Sequence, residues 1–259
     1  MKARAALLTI ALLCLGLGAI AQAEVSQKGN LRVTYGGAIT PTKLPREATA
    51  PVRVKVSAAV ASTKAGKNPP QLQTIAIAIN RHGILDSTGL PTCELKDIQP
   101  STTEKALEEC RASLVGEGTF EAKVLLPQQS PFPSAGKLHA YNGTYKGRPA
   151  ILAHVYGTDP APTSFTLPFV IKRSQGAFAT TLTTNLPQVT SEWGYVTGLS
   201  LDLHRTYSYR GKARSYLSAS CPAPKGFPGA SFSFAKVSFG FKGRSLAPPP
   251  LQRACKARG

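Results

Sequence analysis

The chain has 259 residues, is 42% hydrophobic, and sets 31 lysines and arginines against 13 aspartates and glutamates, a net charge of +18. Beyond the first twenty residues no apolar run reaches the length of a membrane-spanning helix. There is also no internal repeat or low-complexity tract, which leaves a folded, strongly basic chain whose field attracts polyanions.

Lys2 and Arg4 precede an uncharged apolar run from Ala5 to Ile20, and Ala21-Gln22-Ala23 places small residues at the −1 and −3 positions of a cleavage site before Glu24. Residues 1–23 are therefore expected to be a secretory signal peptide. The run is short for a membrane anchor, and Leu13 stands where a lipobox at Cys14 needs a small residue. Cleavage leaves 236 residues with 29 basic against 13 acidic, a length suited to one all-β domain over 24–259.

Glu24 to Asn30 reads as a loose leader and Leu31 to Tyr35 as a first strand. Val52, Val54, Val56, Ala58 and Val60 alternate with Arg53, Lys55 and Ser57, the period-two signature of a half-buried strand. Pro41, Pro45 and Pro51 forbid regular structure between them. Ile75, Ile77 and Ile79 share one face of a central strand over 72–79. Asn80-Arg81-His82-Gly83 is a turn, with His82 at an exposed tip.

The next segment breaks the β pattern. Pro100 stops what precedes it, and Ser101 with Glu104 forms a capping box, predicting a helix from Thr102. Ala106, Leu107 and Cys110 fall on its one apolar face. A helix of two to three turns is marginal alone, and a bond from Cys110 back to Cys93 would clip it. Gly89-Leu90-Pro91-Thr92-Cys93, this acidic helix, Cys110 and Leu114-Val115-Gly116-Glu117-Gly118 resemble a family of secreted, β-rich actinobacterial proteins of unassigned function. Lys137 to His154, Arg205 to Leu217 and Cys221-Pro222-Ala223-Pro224-Lys225-Gly226-Phe227 fit the same set. The resemblance implies export and a β-rich architecture, and it supplies no catalytic or binding residue.

Thr119 to Leu126 returns as a strand. Residues 127–136, with three prolines, are a candidate linker and the one place to subdivide the chain. Leu138–Asn142 and Ala150–Tyr156 form a hairpin about Lys146-Gly147, which sets His139 opposite His154. Ser164–Lys172 and Ala177–Thr184 pair next, with Pro168 pushing the first toward a sheet edge. Trp193 is expected as a core or rim anchor. Leu199, Leu201 and Leu203 begin a strand that runs on through Tyr207 and Tyr209 to a turn at Gly211-Lys212 and back through Tyr216. In Ser231–Phe241 the alternation slips at Ala235-Lys236, the mark of a β-bulge. Short strands between Gly/Pro turns predict an all-β fold: a β-sandwich of short antiparallel strands with one disulfide-clipped helix, or else a partly closed barrel.

Four cysteines survive cleavage, and an even count in an exported chain implies disulfides. Three pairings are open; proximity in sequence favours Cys93–Cys110 and Cys221–Cys255. No nucleophile elbow, zinc-protease motif, phosphate cradle or calcium loop is present. No metal or cofactor is expected. Of the acidic residues eight lie between Asp86 and Glu121, whereas 13 basic residues face only Glu192 and Asp202 from Lys172 onward. The hairpin Tyr207, Tyr209, Arg210, Lys212, Arg214 and Tyr216 combines guanidinium forks with stacking faces and is the candidate binding site. The sequence thus reads as a secreted, non-enzymatic binding or structural module of the cell envelope, contacting anionic cell-wall polymer or acidic polysaccharide, with no specific nucleic acid. The alternative is a hydrolase or metal protein using His139/His154 or Asp202/His204.

Overall fold

The computed structural model describes residues 23–125, 128–159, 161–186 and 194–258. Residues 1–22 of the expected signal peptide, and Trp193, lie outside them. The chain opens with β1 (Glu24–Lys28), β2 (Leu31–Thr40), β3 (Lys43–Pro45), β4 (Ala50–Pro51), β5 (Arg53–Ser62), β6 (Leu72–Ile79) and β7 (Gly83–Leu85). Next come β8 (Cys93–Glu94), α1 (Leu95–Ile98), α2 (Thr103–Cys110) and the long strands β9 (Leu114–Val124), β10 (Phe132–Tyr145), β11 (Arg148–Asp159) and β12 (Thr163–Arg173). β13 (Thr180–Asn185), β14 (Gly194–Leu203), β15 (Thr206–Tyr209), β16 (Lys212–Ser215) and β17 (Leu217–Ala219) follow. β18 (Gly229–Phe241), β19 (Arg244–Leu246) and β20 (Leu251–Arg258) complete it.

One long sheet runs β1-β2-β5-β14-β9-β10-β11-β12-β13-β6-β18-β20-β3, antiparallel except that β3 lies parallel to β20. The all-β class with its short clipped helical segment is as expected. The two packed faces, however, belong to a single sheet that curls on itself. Val56 of β5, Phe169 of β12 and Ala235 of β18, far apart in strand order, line the same cavity. The ends of the curl also meet, since Arg253 of β20 donates to Gly37 O of β2 and pairs with Glu24 of β1 at 2.7 Å. The cause is visible in the alternation. Val33 and Tyr35, Ile75, Leu167 and Phe169, Leu203, Phe234 and Phe239 all point to one shared core. Each such side chain contributes about 1.5–3 kcal/mol only when covered, and among the inward faces of one sheet curling is what covers them. The separate sheet β4-β17-β7 lies across one end, burying Ala50, Leu85, Leu217 and Ala219.

β10 and β11 are covered on their outer faces as well. Tyr141, Ala150 and Leu152 pack beneath Ile98, Ala106 and the Cys93–Cys110 disulfide. Cys93 sits in β8, which pairs parallel to β10, so the disulfide moors α2 to the strand it covers. The helix starts one residue later than its capping box predicts. Thr102 Oγ1 accepts from Lys105 N at 3.3 Å, while Ser101 is drawn away, its N–H donating to Ser164 Oγ of β12 at 3.2 Å. α1 has no counterpart in the sequence reading, although Glu94 N donating to Asp97 Oδ2 at 3.0 Å is its capping contact.

Other differences follow from tertiary pairing. The supposed leader is β1, held as an edge strand by register with β2 and by the Glu24–Arg253 ion pair. The prolines of 41–51 coexist with β3 and β4, short edge strands that need few N–H donors. Residues 132–136 of the supposed linker begin β10, pairing Phe132 with Val124. Pro168 lies in β12 between two neighbours, but pairing with β13 starts only at Val170, so the strand is locally an edge there. The strand from Leu199 ends at Leu203, and Tyr207 belongs to a separate hairpin. The β18 bulge falls between Ser233 and Ala235, beside its expected place.

Chain-entropy reasoning makes the loops closed by Cys93–Cys110 (separation 17) and Cys221–Cys255 (separation 34) contribute about 3 and about 4 kcal/mol. Denaturant titration of the two paired Cys→Ser variants should therefore show both destabilised, the second more. A Cβ at Gly118 would lie 1.9 Å from Ser200 O of β14. Gly118→Ala should cost about 1–3 kcal/mol in the same titration, the range of an overpacked site.

Candidate functional site

The tyrosine–arginine hairpin forms with Tyr207 opposite Arg214 and Tyr209 opposite Lys212. Its turn is Arg210-Gly211, both at positive φ (51° and 72°), which is the two-residue geometry that matches strand twist. The hairpin docks on the loop after β7. Tyr207 Oη donates to Thr88 O at 2.9 Å, Arg214 pairs with Asp86 at 2.9 Å, and Tyr209 covers Gly89 so closely that a Cβ there would come within 2.1 Å of its ring. Gly89 also sits at φ +78°, so both conformation and space demand glycine. Burial alone would raise the Asp86 carboxyl, but hydrogen bonds from Thr88 and Arg214 outweigh it and hold the pKa below the ordinary value.

Of the six candidate residues, then, the structure divides the work. Tyr216 is 1% exposed and sits in the core, where burial pushes its phenol pKa up; it offers no stacking face to solvent, contrary to expectation. Tyr207 and Arg214 are spent on docking. Arg210 and Arg214 stack over the ring of Tyr209 at 5.2 and 5.8 Å, leaving Arg210 and Lys212 at the exposed turn.

His139 and His154 are register partners, as the hairpin count requires. Both are buried under the helical segment. His154 Nε2 lies 3.1 Å from Ser101 O and 3.2 Å from Ser164 Oγ. His139 Nδ1, His154 Nδ1, Tyr141 Oη and Thr166 Oγ1 are buried without a protein partner among the described residues. Burial lowers the pKa of both imidazoles; Glu117 and Glu104 oppose it at His139, and the Ser101 carbonyl opposes it at His154. Among the described residues the only three ligand groups close enough to share an ion are Cys93, Asp97 and Cys110, and those two sulfurs are bonded to each other.

Asp202 and His204 do approach, at 3.6 Å, but Arg53 grips the carboxylate with two hydrogen bonds of 2.6 and 2.7 Å. That grip holds the Asp202 pKa down. Ser215, which follows in the next hairpin, donates its hydroxyl to Leu217 O at 2.6 Å. His82, expected at an exposed tip, is half-buried with Nδ1 3.0 Å from Ser220 Oγ.

A second basic surface, not singled out by the sequence reading, lies where the sheet ends. Lys256 of β20 is the register partner of Lys43 of β3, with Arg258 two residues on, all exposed. The adjoining loop 222–228 is fixed by the Cys221–Cys255 disulfide and by Arg46, which donates to Ala223 O, Pro224 O and Phe227 O at 2.8, 2.7 and 2.6 Å. It presents Lys225 and Phe227, the latter 61% exposed. Among the described residues no ion pair engages Lys43, Lys225, Lys256 or Arg258. The signal in the sequence was the Cys221-to-Phe227 motif, but its neighbour Lys43 is remote in the chain.

Because burial lowers the pKa of both imidazoles in the folded protein, the unfolded chain takes up protons first as pH falls below about 6.5. Stability is full above that pH and declines below it, before carboxylates titrate near pH 4. The thermal midpoint should therefore fall between pH 7 and 5, and the fall should shrink in His139→Gln/His154→Gln, with His82 supplying a remainder. A wild-type midpoint flat over that range would contradict the assignment. Comparison with known proteins adds no assignment: no family model, curated protein or solved structure matches this chain.

Proposed function

We propose that this is an exported, non-enzymatic binding module of the cell envelope that holds anionic cell-wall polymer or acidic polysaccharide against the basic surface of its C-terminal half. The observation that carries the reading is the sheet edge at β20 and β3. There Lys43 and Lys256 face each other directly, an arrangement that repels, and a polyanion laid along the edge would relieve it. Phe227 on its clamped loop adds an apolar face beside Lys225, and Arg210 and Lys212 extend the charge at the hairpin turn. Asp202, the one described carboxylate after Lys172, is already committed to Arg53. The leader, the motif resemblance to secreted β-rich proteins and two disulfides point to the same oxidising compartment.

The disulfide-intact protein should bind columns of a phosphate-bearing wall polymer or of a uronic-acid polysaccharide. It should elute at a few hundred millimolar salt, where the Debye length is roughly 5 Å. Lys43→Glu/Lys256→Glu should elute at distinctly lower salt with stability within about 0.5 kcal/mol of wild type, since the sites are exposed. Retention that high salt leaves unchanged would refute the proposal, and elution unmoved by the charge reversal would refute this edge as its site.

A further inference from the structure

Inside the curl the apolar side chains surround two cavities of about 100 and about 80 Å³. Val56, Ile77, Phe169, Leu199 and Ala235 line both, so the cavities abut. Their order along the strands shows how they lie. Along β5 and the residue before it the first runs from Val52 to Val56, and the second from Val56 to Val60. On β6 the first takes Ile79 and Ile77, the second Ile77, Ile75 and Leu72. They are stacked end to end along the strand direction, and from Val52 to Val60 that is about 26 Å at the usual rise per residue.

The walls are hydrocarbon for almost their whole length. Asn80, His82 and Ser218 supply the polar side chains at the end beneath the β4-β17-β7 sheet. Ile84 lines the first cavity and is 39% exposed. Beside it the loop between β6 and β7 carries the exposed Arg81, whose N–H is anchored to Ala177 O at 2.9 Å. An apolar cavity of this size stays dry and takes hydrocarbon, because an occupant restores the dispersion contacts that the lining otherwise lacks. Two small compartments stacked over that length suit a thin, flexible chain rather than a rigid ring system.

We propose that the lumen binds one long, unbranched aliphatic chain, the tail of a carboxylate-headed amphiphile whose head lies at Arg81 and His82 beside Ile84. The tail is recognised by shape and apolarity and the head by the guanidinium, which takes carboxylates in its planar fork. This site is separate from the basic sheet edge, and either can fail without the other.

Calorimetry of the disulfide-intact protein with palmitate should show one saturable site, with an unfolding midpoint that rises with ligand concentration. Ala58→Phe projects a ring into the second cavity and should weaken palmitate about tenfold or more, the equivalent of two buried methylenes. Arg81→Glu, at an exposed position where folding is not at stake, should weaken palmitate about threefold to fivefold, the worth of an exposed ion pair, and leave hexadecanol unchanged. Absence of saturable binding together with an unmoved midpoint would overturn the proposal. So would palmitate binding that both variants leave intact, which would put the ligand on the outer surface; should Ala58→Phe fail to fold, the Arg81→Glu comparison with hexadecanol decides alone.

Discussion

One constraint organises this molecule: the main sheet carries a single continuous apolar face. Leu31 and Val33 toward one end of the strand order and Leu251 and Cys255 toward the other are buried, as is Leu138 in the middle. A flat sheet with that face would leave it in water. Right-handed twist bends a long sheet in any case, and here the bend brings β20 back to β2, where Arg253 bonds to the Gly37 carbonyl and to Glu24. The same curl explains why the glycines of β9 matter. At Gly116 and Gly118 the backbone of β14 comes so near that a Cβ would meet it at 2.6 and 1.9 Å. A wall that turns this tightly needs positions with no side chain.

The outer surface is treated unevenly, and the difference is local. Over β10 and β11 a second, small core forms under α1 and α2, so these two strands are buried on both faces and tolerate few polar groups. Polar residues nevertheless cross it. Register places Glu117, His139, His154 and Thr166 in one row over four adjacent strands, from solvent to beneath the helices. Short helices could not hold such a cover by propensity alone. The Cys93–Cys110 bond and the Ser101 contact to β12 hold it in place.

Charge is arranged by a different rule. The few carboxylates in the docking regions are used as clamps, Asp86 on Arg214 and Asp202 on Arg53, which joins the hairpin and the outer wall to the body of the fold. Lys43 on β3 and Lys256 and Arg258 on β20 enter no ion pair among the described residues, and the excess accumulates where the sheet ends. The polar outer edge and the apolar lumen are therefore products of the same alternation, seen from its two sides.

Much of this was legible in the chain itself. Period-two patterns in β5, β6 and β14 and the His139–His154 register follow from local rules, because turn geometry and neighbouring residues decide them, and both disulfides join the cysteines that proximity in sequence favours. The helix was visible too, although its first residue shifted when Ser101 found a better partner in β12. Other features depend on residues remote in sequence. Tyr216 alternates like its neighbours Tyr207 and Tyr209, and only the packing of the end sheet puts it in the core. Lys43 meets Lys256 because β3 closes the sheet in parallel with the last strand. The lumen exists only once the sheet curls. Short-range chemistry thus determined the long alternating strands and which face is apolar, while the short edge strands, the order of the strands, and with it every surface that can bind, were decided by tertiary pairing, since hydrogen bonds between strands are indifferent to how far apart their residues lie along the chain.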